Sequence, residues 1–318
     1  MKVLITGANG FLGSHLVEKA LKKGFETSIL IRPGANLSNL EHLHGYHVVE
    51  VSYDSADSIA AAIKDLPAQD LIIHNAGLIQ SYTLDRYVKV NVDLTRKLID
   101  AIRQCDILTP SGRLAYISSL AAKGPVGNGG PASNYGRSKL MAEEVVKNSG
   151  IKYMIYRPTG IYGARDVQFV PLIKAVKLGL YPSMTPKAHK MTLINASDVA
   201  ENVLECSLKH ENQTVHLEDG HVYQHEDLKQ ALEKLLHKRS INLRVGRPVV
   251  KALLSISDVI DRNLNRTPTL SREHYSEISQ DWDYDFSKER NEIPLTIEYS
   301  LEDGFKSAID YYLEKDLI

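Results

Sequence analysis

Apolar residues are spaced along this chain in two alternating rhythms. Short segments with clustered apolar residues at 3–5, 26–31, 47–51, 71–73, 113–117 and 153–156 predict six strands, with the first buried on both faces. Between them, apolar positions recur every three or four residues. Leu16, Val17, Ala20 and Leu21 mark one stripe of a helix over 15–23, and longer helices are expected over 88–104 and 135–147. Strands alternating with helices build βαβ units. The expected fold is therefore α/β, a doubly wound parallel sheet with helices on both faces. After about Gly163 the rhythm fades, interrupted by Pro171, Pro182 and Pro186, and a charged helix over 226–238 follows.

Directly after the first run comes Thr6-Gly7-Ala8-Asn9-Gly10-Phe11-Leu12-Gly13, a G-x-x-G-x-x-G turn between strand and helix. Glycine suits a tight turn, a close approach to a pyrophosphate and close helix–sheet contact. The N–H groups at the helix start attract phosphate. Gly7, Asn9, Gly10, Phe11, Leu12 and Gly13 are thus candidate dinucleotide contacts. Glycines also occur in ordinary strand-to-helix turns, but the strand–turn–helix context favours binding.

An acid about 20 positions past the glycines usually reads the cofactor ribose. Here that position holds Ile31, followed by Arg32. No carboxylate accepts from a 2′-hydroxyl or repels a 2′-phosphate, and Arg32 is suited to stack on adenine and pair with that phosphate. The expected cofactor is NADP, with NAD as the alternative; a solvated loop arginine is the competing reading of Arg32. The expected division is a dinucleotide-binding domain over 1–165, with segments near 190–217 returning to it, and a smaller substrate-binding lid over 166–318.

Tyr135-Gly136-Arg137-Ser138-Lys139 sets a phenol and an ammonium four residues apart on one helix face. A free tyrosine, with a pKa of about 10, is too weakly acidic to serve as a base at neutral pH. A neighbouring cation favours its phenolate and lets it exchange a proton with a substrate oxygen. With 16 tyrosines in the chain, chance alone supplies about one such spacing. Ser118 and Ser119 follow the fifth strand, at the sheet edge where ligands of such folds bind. A hydroxyl there stabilises a developing oxyanion; serines after strands are also ordinary helix caps.

Composition narrows the partners. The 318 residues carry 38 Lys and Arg against 39 Asp and Glu, a net charge of −1. No basic field draws such a chain to nucleic acid or acidic lipid. No apolar stretch nears the roughly 18 residues that cross a bilayer, and residues 1–5 are too short a run for a secretory signal. Cys105 and Cys206 fit neither a disulfide framework nor a zinc ribbon. The expectation is a cytoplasmic enzyme acting on a small molecule, with no metal, nucleic-acid or membrane partner.

The glycine turn, Asp54, His74-Asn75-Ala76-Gly77, Asn91, Ser119 with Tyr135 and Lys139, and Arg157-Pro158-Thr159-Gly160-Ile161-Tyr162-Gly163 occur in one order over residues 1–205. In this the chain resembles the extended short-chain dehydrogenases/reductases, the Rossmann-fold group that includes nucleotide-sugar epimerases and dihydroflavonol-reductase-like enzymes. The resemblance implies that Asp54 binds the adenine amine and that Asn75, Ala76 and Gly77 line the dinucleotide, with Ser118 nearby. It implies catalytic roles for Ser119 as substrate-oxygen partner, Tyr135 as acid/base, Lys139 as ribose ligand and pKa modifier, and Asn91 as support. Pro158, Thr159 and Ile161 would meet the nicotinamide carboxamide. A homodimer through the helices after strands four and five is also implied. Asp198-Val199-Ala200 and Phe286-Ser287-Lys288 are weaker landmarks.

Departures from the pattern narrow the chemistry. Sugar 4,6-dehydratases usually place an Asp-Glu pair after the strand-five serine, where this chain has Leu120 and Ala121. Galactose-type epimerases hold NAD through the acid missing at Ile31. Arg32-Pro33-Gly34 with Asn39-Leu40 is closer to the branch of dihydroflavonol reductases, 3β-hydroxysteroid dehydrogenases and hopanoid-associated epimerase homologues. An NADPH-dependent reductase is expected, with a nucleotide-sugar epimerase as the alternative. A non-catalytic dinucleotide sensor is disfavoured because Tyr135 and Lys139 are both kept.

Three features carry less chemistry. His42, His44 and His47 lack further metal ligands in sequence reach and read as surface histidines. Trp282, Tyr284 and Phe286 alternate with acids, which places them on one face of an extended segment; packing on the core is the expected reading, with a substrate-stacking element as the alternative. Arg244, Arg247, Arg262 and Arg266 fit a nucleotide diphosphate or solvated helices equally well.

Overall fold

The computed structural model describes residues 1–183, 190–244, 246 and 279–318. The chain opens with β1 (Lys2–Thr6), α1 (Phe11–Lys22), β2 (Glu26–Ile31) and β3 (Tyr46–Glu50). It continues through α2 (Ala56–Ile63), β4 (Gln69–His74), a single helical turn α3 (Leu84–Tyr87), a π turn (Val88–Asp93) and α4 (Leu94–Cys105). Then come β5 (Leu108–Ile117), α5 (Asn134–Lys147), β6 (Tyr153–Pro158), β7 (Gly160–Tyr162), α6 (Val170–Lys177), β8 (Leu180–Ser183) and β9 (Leu193–Asn195). The described elements end with α7 (Ala196–Lys209), β10 (Gln213–Leu217), α8 (His225–Leu235), β11 (Ile241–Arg244), α9 (Ser287–Glu292) and α10 (Leu301–Glu314).

Seven strands form one parallel sheet in the order β10-β6-β5-β4-β1-β2-β3. The direction of winding reverses between β1 and β4, and that switch point opens a crevice at the carboxyl ends of the strands. The period-two alternation of each strand divides the core. Val3, Ile5, Ile29, Ile31, Leu71 and Ile73 face α1 and α7, through Leu16, Val17, Val199 and Val203. Leu4, Leu30, Ile72, Leu114 and Tyr116 face the other way, toward Ile59 of α2, Leu98 of α4 and Val146 of α5. Burial on both sides is why stretches such as Val3 to Ile5 and Leu71 to Ile73 read as unbroken apolar runs.

The later half returns to this sheet. α7 packs against α1, and β10 adds the seventh strand beside β6. A third apolar cluster gathers Tyr162, Ile173, Leu193, Leu232, Phe305 and Tyr312 from β7, α6, β9, α8 and α10. Two carboxyl-terminal clamps hold α7 to the chain end. Asp198 accepts the N–H groups of Glu298 and Tyr299 at 3.1 and 3.2 Å. Asn202 accepts from Thr296 N and donates to Thr296 O.

Element bounds differ from expectation by a few residues at most ends, α1 starting at Phe11 rather than 15, and three differences have a local cause or consequence. β5 starts at Leu108, five residues earlier than its apolar run, because pairing with β4 resumes across an irregularity at Gln69/Leu71. The helix expected over 88–104 begins earlier and contains the π turn. α2 was not anticipated; Ser55 caps it by accepting from Ser58 N, and only Ile59 and Ile63 are buried. Among the described residues no helix is long and apolar enough to cross a membrane. Pro186, Arg247, Arg262 and Arg266 lie outside the described residues.

Candidate active site

The glycine turn follows β1 and wraps over the loop that follows β4. Gly7 has φ +66°, and a Cβ there would stand 2.7 Å from Ala76 N. A Cβ on Gly13 would stand 2.0 Å from Gly7 O, so α1 and the turn meet backbone to backbone. Asn75 Nδ2 donates to Gly7 O at 3.1 Å. Asn9 is held by the loop after β2, donating to Asn36 O at 3.0 Å and accepting from Asn39 through its carbonyl at 3.2 Å. Gly10 is exposed, and α1 starts with no side-chain cap and no acid in its first turn. The donors at Phe11, Leu12 and Gly13 are thus left for an external anion. This cradle fits a pyrophosphate.

At the end of β2, Ile31 is buried and Arg32 is exposed. The Arg32 guanidinium sits near enough to Tyr53 to counter the upward push that burial gives that phenol. Tyr53 donates to Leu30 O at 3.0 Å. Asp54 is exposed, with its carboxylate accepting from Ser52.

α5 carries Tyr135 and Lys139, the candidate proton-transfer residues, to the end of β5. Ser133 caps the helix, accepting from Gly136 N at 2.9 Å. A Cβ on Gly136 would meet Ala121 O at 2.3 Å, so the first turn of α5 lies directly on the turn that follows Ser119. Ser119 Oγ accepts from Ala121 N at 3.1 Å, and its own proton remains to be donated. The cap reading and the substrate reading of Ser119 are thus compatible. One helical turn beyond Tyr135, Lys139 Nζ donates to Ile117 O at 2.8 Å and stands 3.4 Å from where a Gly77 Cβ would be. Burial pushes this ammonium down to about 8, opposed by the Glu143 carboxylate. Tyr135 is half-buried, its ring 6.0 Å from that of Tyr87.

Asn91 lies in the π turn, a helical distortion that recurs at functional sites. Its side chain accepts from Leu78 N at 2.7 Å and donates to Leu78 O at 3.0 Å and Ser138 Oγ at 2.9 Å. This fixes the loop containing Gly77 against α5. Pro158 ends β6, and Thr159 N donates to Leu217 O at 3.0 Å. The Thr159 hydroxyl is buried without a partner among the described residues. Ile161 pairs with Ile194 between β7 and β9.

Ser118 points elsewhere. Its hydroxyl donates to Glu143 Oε1 at 2.5 Å, and Arg157 grips the same carboxylate through Nε and Nη2 at 2.8 and 2.6 Å. Glu143 is fully buried. This triad, which joins α5 to the ends of β5 and β6, escaped the sequence reading. Its signal was present: Glu143 falls four residues after Lys139, on the same helix face.

The NAD dependent epimerase/dehydratase family profile matches residues 3–222. The chain belongs to that family. Ceramide reductase of Caulobacter vibrioides (strain NA1000 / CB15N) is 29% identical over 205 residues, 64% of this chain but 59% of that protein's length. The bifunctional dihydroflavonol 4-reductase/flavanone 4-reductase of Malus domestica is 24% identical, with 99% of this chain and 91% of that protein aligned. The UDP-glucuronic acid 4-epimerase of Bacillus cereus, solved in complex with NAD, shares the fold at TM-score 0.75 and 20% identity across 99% of both chains.

In this member of the NAD-dependent epimerase/dehydratase family, some of the weaker sequence features have structural partners and others are exposed. His42 Nε2 accepts from Arg165 at 2.8 Å, and His44 and His47 are exposed. No cluster of three metal-ligating side chains occurs among the described residues. Phe286 is buried, stacked at 4.2 Å on His216 and at 5.5 Å on Tyr284. Lys123 lies 4.8 Å over the Tyr284 ring, and Trp282 N donates to Lys190 O at 3.0 Å. The aromatic segment is packed, as its alternation implied. Asp198 serves as a clamp on the chain end.

Proposed function

We propose that this protein is an NADPH-dependent reductase that interconverts a carbonyl and an alcohol on a small molecule. The observation that carries the cofactor choice is the exposed Arg32 directly after β2, where no carboxylate stands. Two relatives named as reductases support the direction of the chemistry. A bound nicotinamide supplies the hydride. The glycine turn and the start of α1 hold its pyrophosphate, Asn75 to Gly77 line it, and Pro158, Thr159 and Ile161 meet its carboxamide. Ser119 donates a hydrogen bond to the substrate oxygen and stabilises its developing charge. Tyr135 gives that oxygen its proton, and the Lys139 ammonium stabilises the phenolate left behind.

Equilibrium titration with NADPH and NADH at equal salt tests the cofactor: tighter NADH binding rejects the assignment. Tyr135→Phe tests the acid/base role, with turnover expected to fall by about a hundredfold or more and NADPH affinity unchanged. The alternative, a nucleotide-sugar epimerase, uses the same residues and is supported by the family's description. It predicts a retained dinucleotide, no net NADPH consumption and recovered sugar inverted at one carbon. The same reading makes the protein a cytoplasmic homodimer joined through the helices that follow β4 and β5. Sedimentation at monomer mass would remove the dimer.

A further inference from the structure

Beneath the crevice runs a polar chain that the proposed chemistry does not use. His74, at the end of β4, is 1% exposed. Its Nδ1 is 2.8 Å from the Thr6 hydroxyl at the end of β1, and its Nε2 is 3.0 Å from the Thr95 hydroxyl on α4. Thr6 Oγ1 accepts the Ala76 N–H at 3.1 Å. Thr95 donates its one proton to the Asn91 carbonyl at 2.6 Å.

The two ends of this chain dictate its middle. A carbonyl only accepts, so Thr95 has no proton left for His74 and accepts from it. The ring proton therefore sits on Nε2. Thr6 then donates to Nδ1, and every bond runs one way, from Ala76 through Thr6, His74 and Thr95 to Asn91. Burial, reinforced by the Lys139 ammonium, pushes the imidazole down to about 3 and keeps it neutral. Tyr116 of β5, with its ring 5.7 Å away, and Lys139 of α5 are the titratable groups that face it.

We propose that His74 is a positioning residue: as the middle link of this one-way chain, it ties the β1 end and the Asn75-Ala76-Gly77 loop to the π turn and sets the width of the dinucleotide crevice. This rests on the dinucleotide reading above. One wall of the crevice is the glycine turn on Asn75 and Ala76; the other is Asn91 with Gly77 and Lys139. Without the chain the walls are joined only along the 75–78 loop, through Asn75 on Gly7 O and Asn91 on Leu78, and the crevice spacing is set less tightly.

Histidine-labelled protein tests the tautomer. The His74 ring nitrogens should report Nε2–H unchanged between about pH 6 and about pH 9; Nδ1–H or an imidazolium at neutral pH overturns the proposal. Thr95→Val removes both hydroxyl bonds at nearly constant volume, so the NADPH dissociation constant should rise about tenfold, and Thr95→Ser should restore it. A Thr95→Val constant within about twofold of wild type, or a Thr95→Ser variant no better than Thr95→Val, overturns it. Should Thr95→Val not fold, Thr6→Val is held to the same tenfold rise. Wild-type protein that binds neither dinucleotide rejects the reading underneath instead, and the ring spectra separate the two failures.

Discussion

Lys139 is asked to be both buried and charged. Its folded pKa of about 8 lies below the usual lysine value, so between about pH 8 and about pH 10.5 the unfolded chain binds a proton that the folded chain does not. Its contribution to stability therefore rises with pH across that window, and at neutral pH the charged form costs stability. Lys139→Met should abolish that rise and leave the melting temperature at pH 7 no lower than wild type, while turnover falls by about a hundredfold. In the wild type, turnover should decline above about pH 8 as the ammonium is lost. Glu143 opposes the depression, so Glu143→Gln should move that alkaline limb to lower pH. It also strips the counterion from Arg157, costing about 3 kcal/mol by chemical denaturation. The chemistry-bearing residues were legible because Ser119, Tyr135 and Lys139 fall in order among the glycine turn and the other family motifs, not because any one of them is distinctive alone. Their supports were not: Glu143, Thr95 and Thr6 are common residue types whose partners lie on other elements.

Elements show where local pattern suffices. β2 spans 26–31 as expected; its apolar half, Ile29 to Ile31, is buried on both faces and has nothing to alternate with. The π turn left no such mark. One inserted residue shifts an apolar stripe only slightly, and the side chains on both sides of it remain helical in character. The glycine turn separates two kinds of constraint at one motif. Gly13→Ala forces backbone apart and should cost about 3 kcal/mol or more, read by denaturant midpoint. Gly10 has φ −78° and nothing nearer than 3.3 Å to an added Cβ. Gly10→Ala should therefore cost about 1 kcal/mol, less than Gly13→Ala, yet, with the pyrophosphate in the proposed cradle, bind NADPH at least about tenfold more weakly, because the methyl would project into it. Equal losses of stability and affinity at both positions would contradict that separation.

At the scale of the molecule, a parallel sheet with helices on both faces was implied once strands and helices alternated, but its strand order and its seventh strand, β10, were not. The third core was illegible: Tyr162 stacks on Phe305 at 4.7 Å, a pairing between distant stretches with no shared periodicity. The clamp that secures it is equally non-local. Asp198→Ala leaves the N–H groups of Glu298 and Tyr299 without their acceptor and should cost about 2 kcal/mol, with limited proteolysis cutting first near residues 296–300. Cleavage beginning within residues 1–165 would rule out this order of release. The same clamp bears on how the chain is made. Residues that seat α7 and fill the gap around Tyr162 leave the ribosome after every strand of the main sheet, so the sheet must wait with its flank open. Docking of α10 can therefore only follow synthesis of the whole main sheet.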